Sequence, residues 1–587
     1  MPTVRIPLVG SFNQRSIDGS AALTLNEDQR FLNCAFNVVQ NPVTGKSTLY
    51  VEKRPGWSQD SLVSTGIASS GLIKPQLFSS PISAFGEVSS NIYLGTINVG
   101  ILSGRALHMT ETLINATSNV LIKASDGTAW YYTDGAKNST SYLAFTSSGT
   151  VSCSTIADTT GMYPGQLITG NTIGAGARIS TVNFAASTIT LTVANTGNST
   201  GAILTKEPIA QILSANFLTT GTHISAFAAK DGYHFYTTDD GYLNNSDLNT
   251  FLAYQATGRL AVQASPDPTV AVAVQKNAVI ALGLNTKEVF QNAGNAQGSP
   301  LQSVPQMTEY IGCLDQRSLT QIEDDLFWVS SPSEGDVGVY RMSGYAAVRI
   351  STPTVDRIIG TAANSGAIYA GSFRLGGYPY ASFSISVAQE GPAADLLLET
   401  GDFLLLESGD RIILEGNPAQ LASFVRLLIY NIKLNIWSEW DCDEATFIDS
   451  IGSGTNNQLI ATSRFNTGGK IYKIDPLSVG AIYQDDGSNY STEIRTAKLD
   501  FGTSDKKYVS EINLVADTVS SGTCTLYYSD DDYSTWSLGQ TIDLTRPDKM
   551  ITRLGSHYNG RAYKLVHSDN GPFRAEALEI TYRVGTS

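Results

Sequence analysis

The sequence predicts an all-β protein: a β-propeller of about six blades with inserted β modules, closed by a C-terminal β-sandwich. Three observations predict it. Charged residues are only 16% of the 587, whereas Gly (53) and Tyr (27) are abundant, a composition suited to strands and turns. A unit of apolar strand, Gly or Asn/Asp turn, second strand and aromatic-rich third strand recurs, with a spacing of roughly 40–50 residues where no insert intervenes. After about residue 484 the rhythm changes to longer alternating strands, as in a compact antiparallel sandwich.

The recurring units are read in order. "NVLIKASDGTAWYYTDG" (119–135) is the first. "HISAFAAKDGYHFYTTDDGYL" (223–243) and "TVAVAVQKNAVIALGLNTKEVFQN" (269–292) follow. The fourth is 319–351. The fifth begins at 367–387 and resumes at "FVRLLIYNIKLNIWSEWD" (424–441), and the sixth is 447–475. Radial repetition of short antiparallel sheets is the mark of a propeller; a sandwich of the same strands is the simpler alternative. The organisation predicted is an N-terminal extended arm over 1–60, propeller from 61–142, an inserted module over 143–207, the remaining propeller over 208–483 and a sandwich over 484–587. In the arm, "FLNCAFNVVQNPVTGKSTLYVEKRPGW" reads as two strands about an Asn-Pro-x-Thr-Gly turn; a helix over 25–39 is the weaker alternative. Residues 143–205 carry two charged side chains, Asp158 and Arg178, and read as a nearly uncharged β module.

A second insert, 390–420, contains "DLLLETGDFLLLESGDRIILEGN". Gly401 and Gly409 break any helix, so strands joined by tight Gly-Asp turns are expected. Parallel stacking would align Glu399, Glu407 and Glu415 in a column at about 4.8 Å spacing. An antiparallel meander, with Glu399 opposite Leu404 and Glu407 opposite Ile412, separates them. The meander leaves both faces apolar, so the ribbon must be covered by its own propeller, a neighbouring subunit or a partner. Leu397, Leu398, Phe403, Leu405, Leu406, Ile413 and Leu414 are its candidate interface residues.

Chemistry is sparse. Cys34, Cys153, Cys313, Cys442 and Cys524 are scattered, which argues against a zinc site or a disulfide framework and for free, buried thiols. The five histidines lack metal-ligand spacing. No nucleophile elbow, P-loop or dinucleotide fingerprint stands at a strand-to-helix junction. Catalytic, cofactor and metal residues are therefore all expected to be none. Asp239–Asp240, Asp485–Asp486 and Asp530–Asp532 read as turn carboxylates rather than Ca²⁺ ligands, lacking the EF-hand pattern. "SDDDYSTW" (529–536) is close to the sialidase Asp-box S-x-D-x-G-x-T-W, with Tyr533 in place of Gly; it raises the alternative of a glycan-binding or glycan-degrading propeller protein. A net charge of −15 disfavours a sequence reader of nucleic acid. No run of about 18 apolar residues suggests a membrane span, and the opening residues do not read as a signal peptide.

The stretch 310–359, with Gly312-Cys313, Leu326-Phe327-Trp328, Val339-Tyr340-Arg341, "RIST" and "VDRII", resembles the tail hub or nozzle (packaged-DNA stabilisation) proteins of short-tailed bacteriophages. Residues 33–56 and 430–441 are similar to the arm and a late propeller strand of the same proteins. The inserts at 143–205 and 390–420 stand outside this resemblance. The resemblance implies a virion protein assembled in the host cytoplasm and no enzyme. It implies a hexameric ring continuing the DNA channel below the portal and adaptor, with fibre or spike proteins as further partners. The net charge of −15 suits this, because an acidic protein repels double-stranded DNA and lets it pass without sequence-specific binding.

Overall fold

A computed structural model of the chain describes residues 2–9, 30–40 and 47–60, most of 140–360 and 482–585, and elsewhere the strands named below. Among the described residues, seven antiparallel units of four strands make up a β-propeller, five of them separate sheets and two continuing into nine-stranded sheets. Six coincide with the six units visible in the sequence. An additional sheet precedes them, built from Ser69–Ile73, Phe85–Val88, Asn91–Leu94 and Ile97–Ile101. Its strands are short and rich in Gly, Ser and Asn, so their alternation is weak beside that of later blades.

Blade 2 is made of Ala106–Ile114, Thr117–Ala124, Trp130–Thr133 and the end of Ser199–Gln211. Blades 3, 4 and 5 occupy 228–261, 269–303 and 320–349. Blade 6 is formed by Ile368–Leu375, Tyr378–Gln389, Ala422–Asn431 and Ile436–Trp440. Blade 7 has Ala445–Ile451, Gln458–Ser463 and Ile471–Ile474, with Ser58–Asp60 as its fourth strand. The tight turns have a local cause. Asp231, Lys276 and Glu323 open the first hairpins of blades 3, 4 and 5 at φ of 52°, 51° and 56°, the left-handed geometry that two-residue hairpins require.

From blade 2 to blade 6, facing sheets bury a core at each junction. Trp130, Tyr132, Phe227, Tyr236 and Tyr254 pack between blades 2 and 3. Phe235, Val272, Val279 and Phe290 pack between 3 and 4. Ile280, Val289, Trp328 and Met342 fill the gap between 4 and 5, and Phe327, Ile358, Phe383 and Trp437 that between 5 and 6. Each buried aromatic or aliphatic side chain contributes about 1.5–3 kcal/mol. Buried polar groups stitch the same gaps. Gln316 Oε1 accepts from the backbone N–H of Ala226 (3.2 Å) and Val272 (2.9 Å). The Gln275 side-chain amide donates to the carbonyls of Asp324 (2.6 Å) and Met342 (2.8 Å).

The described strands of the N-terminal segment pair with strands of the C-terminal one. Thr3–Pro7 pairs along Arg574–Val584, Ser47–Lys53 joins the same strand, and Arg30–Leu32 pairs with Thr492–Arg495. Both ends of the sequence thus build one sandwich around Phe31, Phe36, Val51, Ile512, Leu526, Tyr563 and Ile580, and the propeller is inserted between them. The predicted hairpin of 33–53 is observed as Cys34–Gln40 against Ser47–Lys53; strands, not the alternative helix, occupy 30–40. A single parallel step, Leu32 opposite Glu439, fuses blade 6 and one sandwich layer into a nine-stranded sheet.

Of the octapeptide array only Ile413–Leu414 is described, antiparallel to Ala394–Asp395 with Asp395 opposite Ile413. Leu397, Leu398, Phe403, Leu405 and Leu406, and the pairings expected of them, lie outside the described residues. This insert leaves blade 6 between its second and third strands, whereas the 143–205 module leaves blade 2 between its third and fourth. Antiparallel neighbours reverse direction, so the two inserts emerge at opposite ends of the blades.

Candidate functional site

The most heavily constructed polar site is the seam where sandwich and propeller close on each other. Arg54 stands between the last sandwich strand of the N-terminal segment and the strand Ser58–Asp60 that completes blade 7. Its side chain is fully buried. Its guanidinium donates to Asp485 Oδ1 (3.0 Å) and Oδ2 (2.5 Å), to the Asp441 carbonyl (2.9 Å), to Asn33 Oδ1 (2.9 Å) and to the Pro55 carbonyl (3.1 Å). The rings of Tyr490, Trp57 and Trp440 lie 4.0, 5.2 and 5.6 Å from its central carbon. Such a planar fork meets a carboxylate and stacks on rings at once, which a lysine ammonium could not do.

Asn33 organises the acceptors. It sits at φ 56°, a geometry that Asn tolerates better than most residues. Its Oδ1 also takes the Asp441 N–H (2.8 Å), while its amide donates to the Ser491 carbonyl (2.7 Å). Trp440 Nε1 donates to the Cys34 carbonyl at 2.9 Å. Nearby, Lys53 Nζ donates to the carbonyls of Asp569 (2.8 Å) and Tyr490 (3.2 Å); burial and the Arg54 charge lower its ammonium to about 8. Glu439 is held by Arg30 (2.8 Å) and Arg426 (2.7 Å). Burial alone would raise its carboxyl, but the two guanidiniums outweigh that and keep it below the ordinary range. The propeller cannot open at blade 7 without unpairing Ser58–Asp60 and exposing Arg54.

The acidic turns are occupied by their own neighbours. Asp485 belongs to the seam. Asp530 binds the buried Arg561 through both oxygens (2.7 and 2.8 Å). Asp240 accepts from Thr238 Oγ1 at 2.5 Å, and Asp267 from the Asn285 N–H and Thr286 Oγ1. Asp240 and Asp267 line a cleft of about 370 Å³ with Asp239, Tyr242 and Ser265. No group of three or more His, Cys, Asp or Glu positioned for a metal ion occurs among the described residues. Cys34, Cys153, Cys313 and Cys524 are buried free thiols; burial pushes Cys313 and Cys524 up to about 12, far from the thiolate that nucleophilic chemistry needs.

The Asp-box folds as one. Asp531 Oδ1 accepts from Ser529 Oγ (2.8 Å) and the Thr535 N–H (2.9 Å), and Oδ2 from Thr535 Oγ1 (2.5 Å). Tyr533, at the glycine position, adopts φ 68°. Its hydroxyl reaches the Thr496 carbonyl at 3.0 Å and its ring is buried. Trp536 stacks with Lys564, whose ammonium lies 4.5 Å from the ring. The box therefore staples one sandwich turn. The seam itself carries no sequence motif. Its one legible signal is "KRPGW", two cations before a Pro-Gly break and a tryptophan.

Repeated four-stranded sheets packed face to face define the class: a β-propeller protein. Residues 108–367, which run from the first strand of blade 2 to the start of blade 6, match the phage-stabilisation family described as bacteriophage P22 Gp10, beta-propeller. This bears out the resemblance carried by 310–359, and the matched range includes the 143–205 module. The family is a structural phage family, not an enzyme family. No curated protein matches the chain significantly. Solved structures with similarity include the computationally designed Ika8 protein, at 11% identity and TM-score 0.30, covering 71% of this chain and 100% of that one. An exo-beta-1,3-galactanase from Phanerochaete chrysosporium shows 9% identity and TM-score 0.24, covering 63% and 98%. Likenesses this slight decide nothing about function.

Proposed function

We propose that this protein is a structural subunit of a phage tail, a nozzle that continues the DNA channel below portal and adaptor, retains packaged DNA and conducts it during ejection. The observation that carries this reading is the family match across four consecutive blades. The closed seam supports it, since a component loaded by packaged DNA must resist opening, and a buried, multiply bonded Arg54 provides that. The net charge of −15 supports it too, because an acidic wall repels the duplex and avoids the counterion-release binding that would stall it. In this reading the subunits form a hexameric ring in the virion after assembly in the host cytoplasm. Adaptor, fibre and spike proteins dock on the loops at either end of the blades. The ribbon carrying Leu397, Leu398, Phe403, Leu405, Leu406, Ile413 and Leu414 is one such contact.

The test is imaging of tails with antibody against the chain, paired with particles made without it. The expected result is label at the distal tail and loss of DNA from deficient particles. Particles that keep their DNA and infect normally without the chain would refute the proposal.

A further inference from the structure

The sheet shared by blade 6 and the sandwich carries a row of cations on its outer surface. The strands Arg30–Leu32, Thr492–Arg495, Ala562–His567 and Thr523–Ser529 are neighbours in that order. Their inward side chains, Phe31, Ile494, Leu565 and Leu526, fill the sandwich core. Alternation turns the others outward. There Arg30 stands opposite Arg495, Arg495 opposite Lys564, and Lys564 opposite Tyr527. Like charges directly opposite each other destabilise a sheet, so this register is costly unless anions answer it. Glu439 holds Arg30 and Arg426, and Glu493 pairs with Arg495. Around Lys564 stand rings instead: its ammonium lies 4.7 Å from the centre of Tyr527 and 4.5 Å from that of Trp536. Burial, aided by the Arg495 charge and opposed by Glu493, lowers that ammonium below the ordinary lysine range. The carboxylates at the margins are engaged elsewhere: Asp543 by Thr545 and Arg546, Asp531 by Ser529 and Thr535, and Asp569 by Thr523.

The Asp-box loop lays an aromatic platform over this row. Trp536 rests its indole on Lys564 and, at 5.7 Å, on Arg495, with Tyr533 beside it at 6.0 Å. The cations lie beneath the ring, so its other face turns away from the sheet. Gly539 lies against Tyr527, where a Cβ would meet ring atoms at 2.9 Å, and Leu538 next to it is 92% exposed. A half-buried indole, a tyrosine and a bare leucine thus surround a cation that rings, not a carboxylate, enclose. A pyranose suits such a surface, its apolar C–H face on the rings and an acidic substituent on the cation. The cations recur at the strand spacing of about 4.8 Å, close to the length of one sugar unit. An acidic peptide makes no use of the indole. Duplex DNA, with a charge every ~1.7 Å, is repelled by a chain of net charge −15.

We propose that the outer sheet face around Trp536, Tyr527 and Lys564 is a binding site for an acidic polysaccharide. The indole carries a sugar ring, and Lys564 takes the carboxylate. The site lies on one chain and needs no ring of subunits.

The test is affinity electrophoresis of the full chain through gels holding graded amounts of polygalacturonate, dextran, polyglutamate or single-stranded DNA. Wild type is compared with Trp536→Ala, Lys564→Gln and Tyr310→Ala, the last a control at an exposed propeller aromatic (75%). The expected result is retardation of wild type and control by polygalacturonate alone. Trp536→Ala should weaken that binding at least about tenfold, and Lys564→Gln about tenfold with an unchanged melting temperature. Added salt should weaken wild type more than Lys564→Gln. Equal retardation by polyglutamate or single-stranded DNA would mean charge without sugar recognition and overturns the proposal. Equal retardation by dextran, which needs no cation, overturns it too. So does either variant binding polygalacturonate like wild type, or a wild type that no gel retards.

Discussion

Asp485→Asn removes the charge that answers Arg54 while keeping the shape of the side chain. Arg54 retains Asn33 Oδ1 and the carbonyls of Asp441 and Pro55, but its buried positive charge loses the carboxylate that it contacts through both oxygens. Removing one partner of a buried pair costs about 3–5 kcal/mol. The Asp485 side chain is 25% exposed, so water softens the loss and the lower end, about 3 kcal/mol, applies. At 1.36 kcal/mol per tenfold, that raises the open population at the seam about a hundredfold. Native-state hydrogen exchange reads this directly. Peptides covering 51–60 and 482–490 should lose protection by that factor, while blade 4 (269–303) stays as in wild type. Exchange within threefold of wild type at the seam, or an equal loss in blade 4, would refute the lock.

Three further outcomes follow from the geometry. Tyr533→Gly would relieve left-handed backbone strain of about 1–2 kcal/mol, but it deletes a buried aromatic ring worth about 3–5 kcal/mol and the bond to Thr496; the net effect is a melting temperature lowered, not raised, in a thermal scan. Gln316→Ala takes the shared acceptor from two backbone N–H groups at the junction of blades 3 and 4, costing about 3 kcal/mol, read as a lower midpoint in urea. His234 is bonded to Thr112 across blades 2 and 3 (2.6 Å), and burial lowers its imidazole from 6.5 to about 4. The unfolded chain therefore binds the proton first, so stability should fall as pH drops from about 6.5 to about 4, by up to about 3 kcal/mol; His234→Gln should flatten that slope in pH-dependent unfolding.

Strand periodicity is a local property, which is why six blades could be read from units such as 269–292 before any fold was known. The hairpin of 33–53 and the Asp-box were legible for the same reason, since their partners lie within a few residues. The additional blade at 69–101 was not, because Gly and Ser do not alternate visibly with apolar residues. Nor was the seam. Arg54 meets Asp485 across 431 residues, and Asp485 in sequence looks like any acid in a turn. Tyr533 illustrates the middle ground. Its place in the box is visible, but the hydrogen bond to Thr496 that offsets its strained φ comes from another strand.

Composition and repetition alone thus determined an all-β propeller, an uncharged module, the absence of recognisable catalytic motifs and an acidic character, because each depends on residues close together in the chain. Only the tertiary structure decided that both ends of the sequence build one sandwich, that Ser58–Asp60 completes the last blade, and that Arg54 is buried against Asp485. Those features depend on pairings between distant strands. Register across such pairs is set by mutual burial, which no local pattern records.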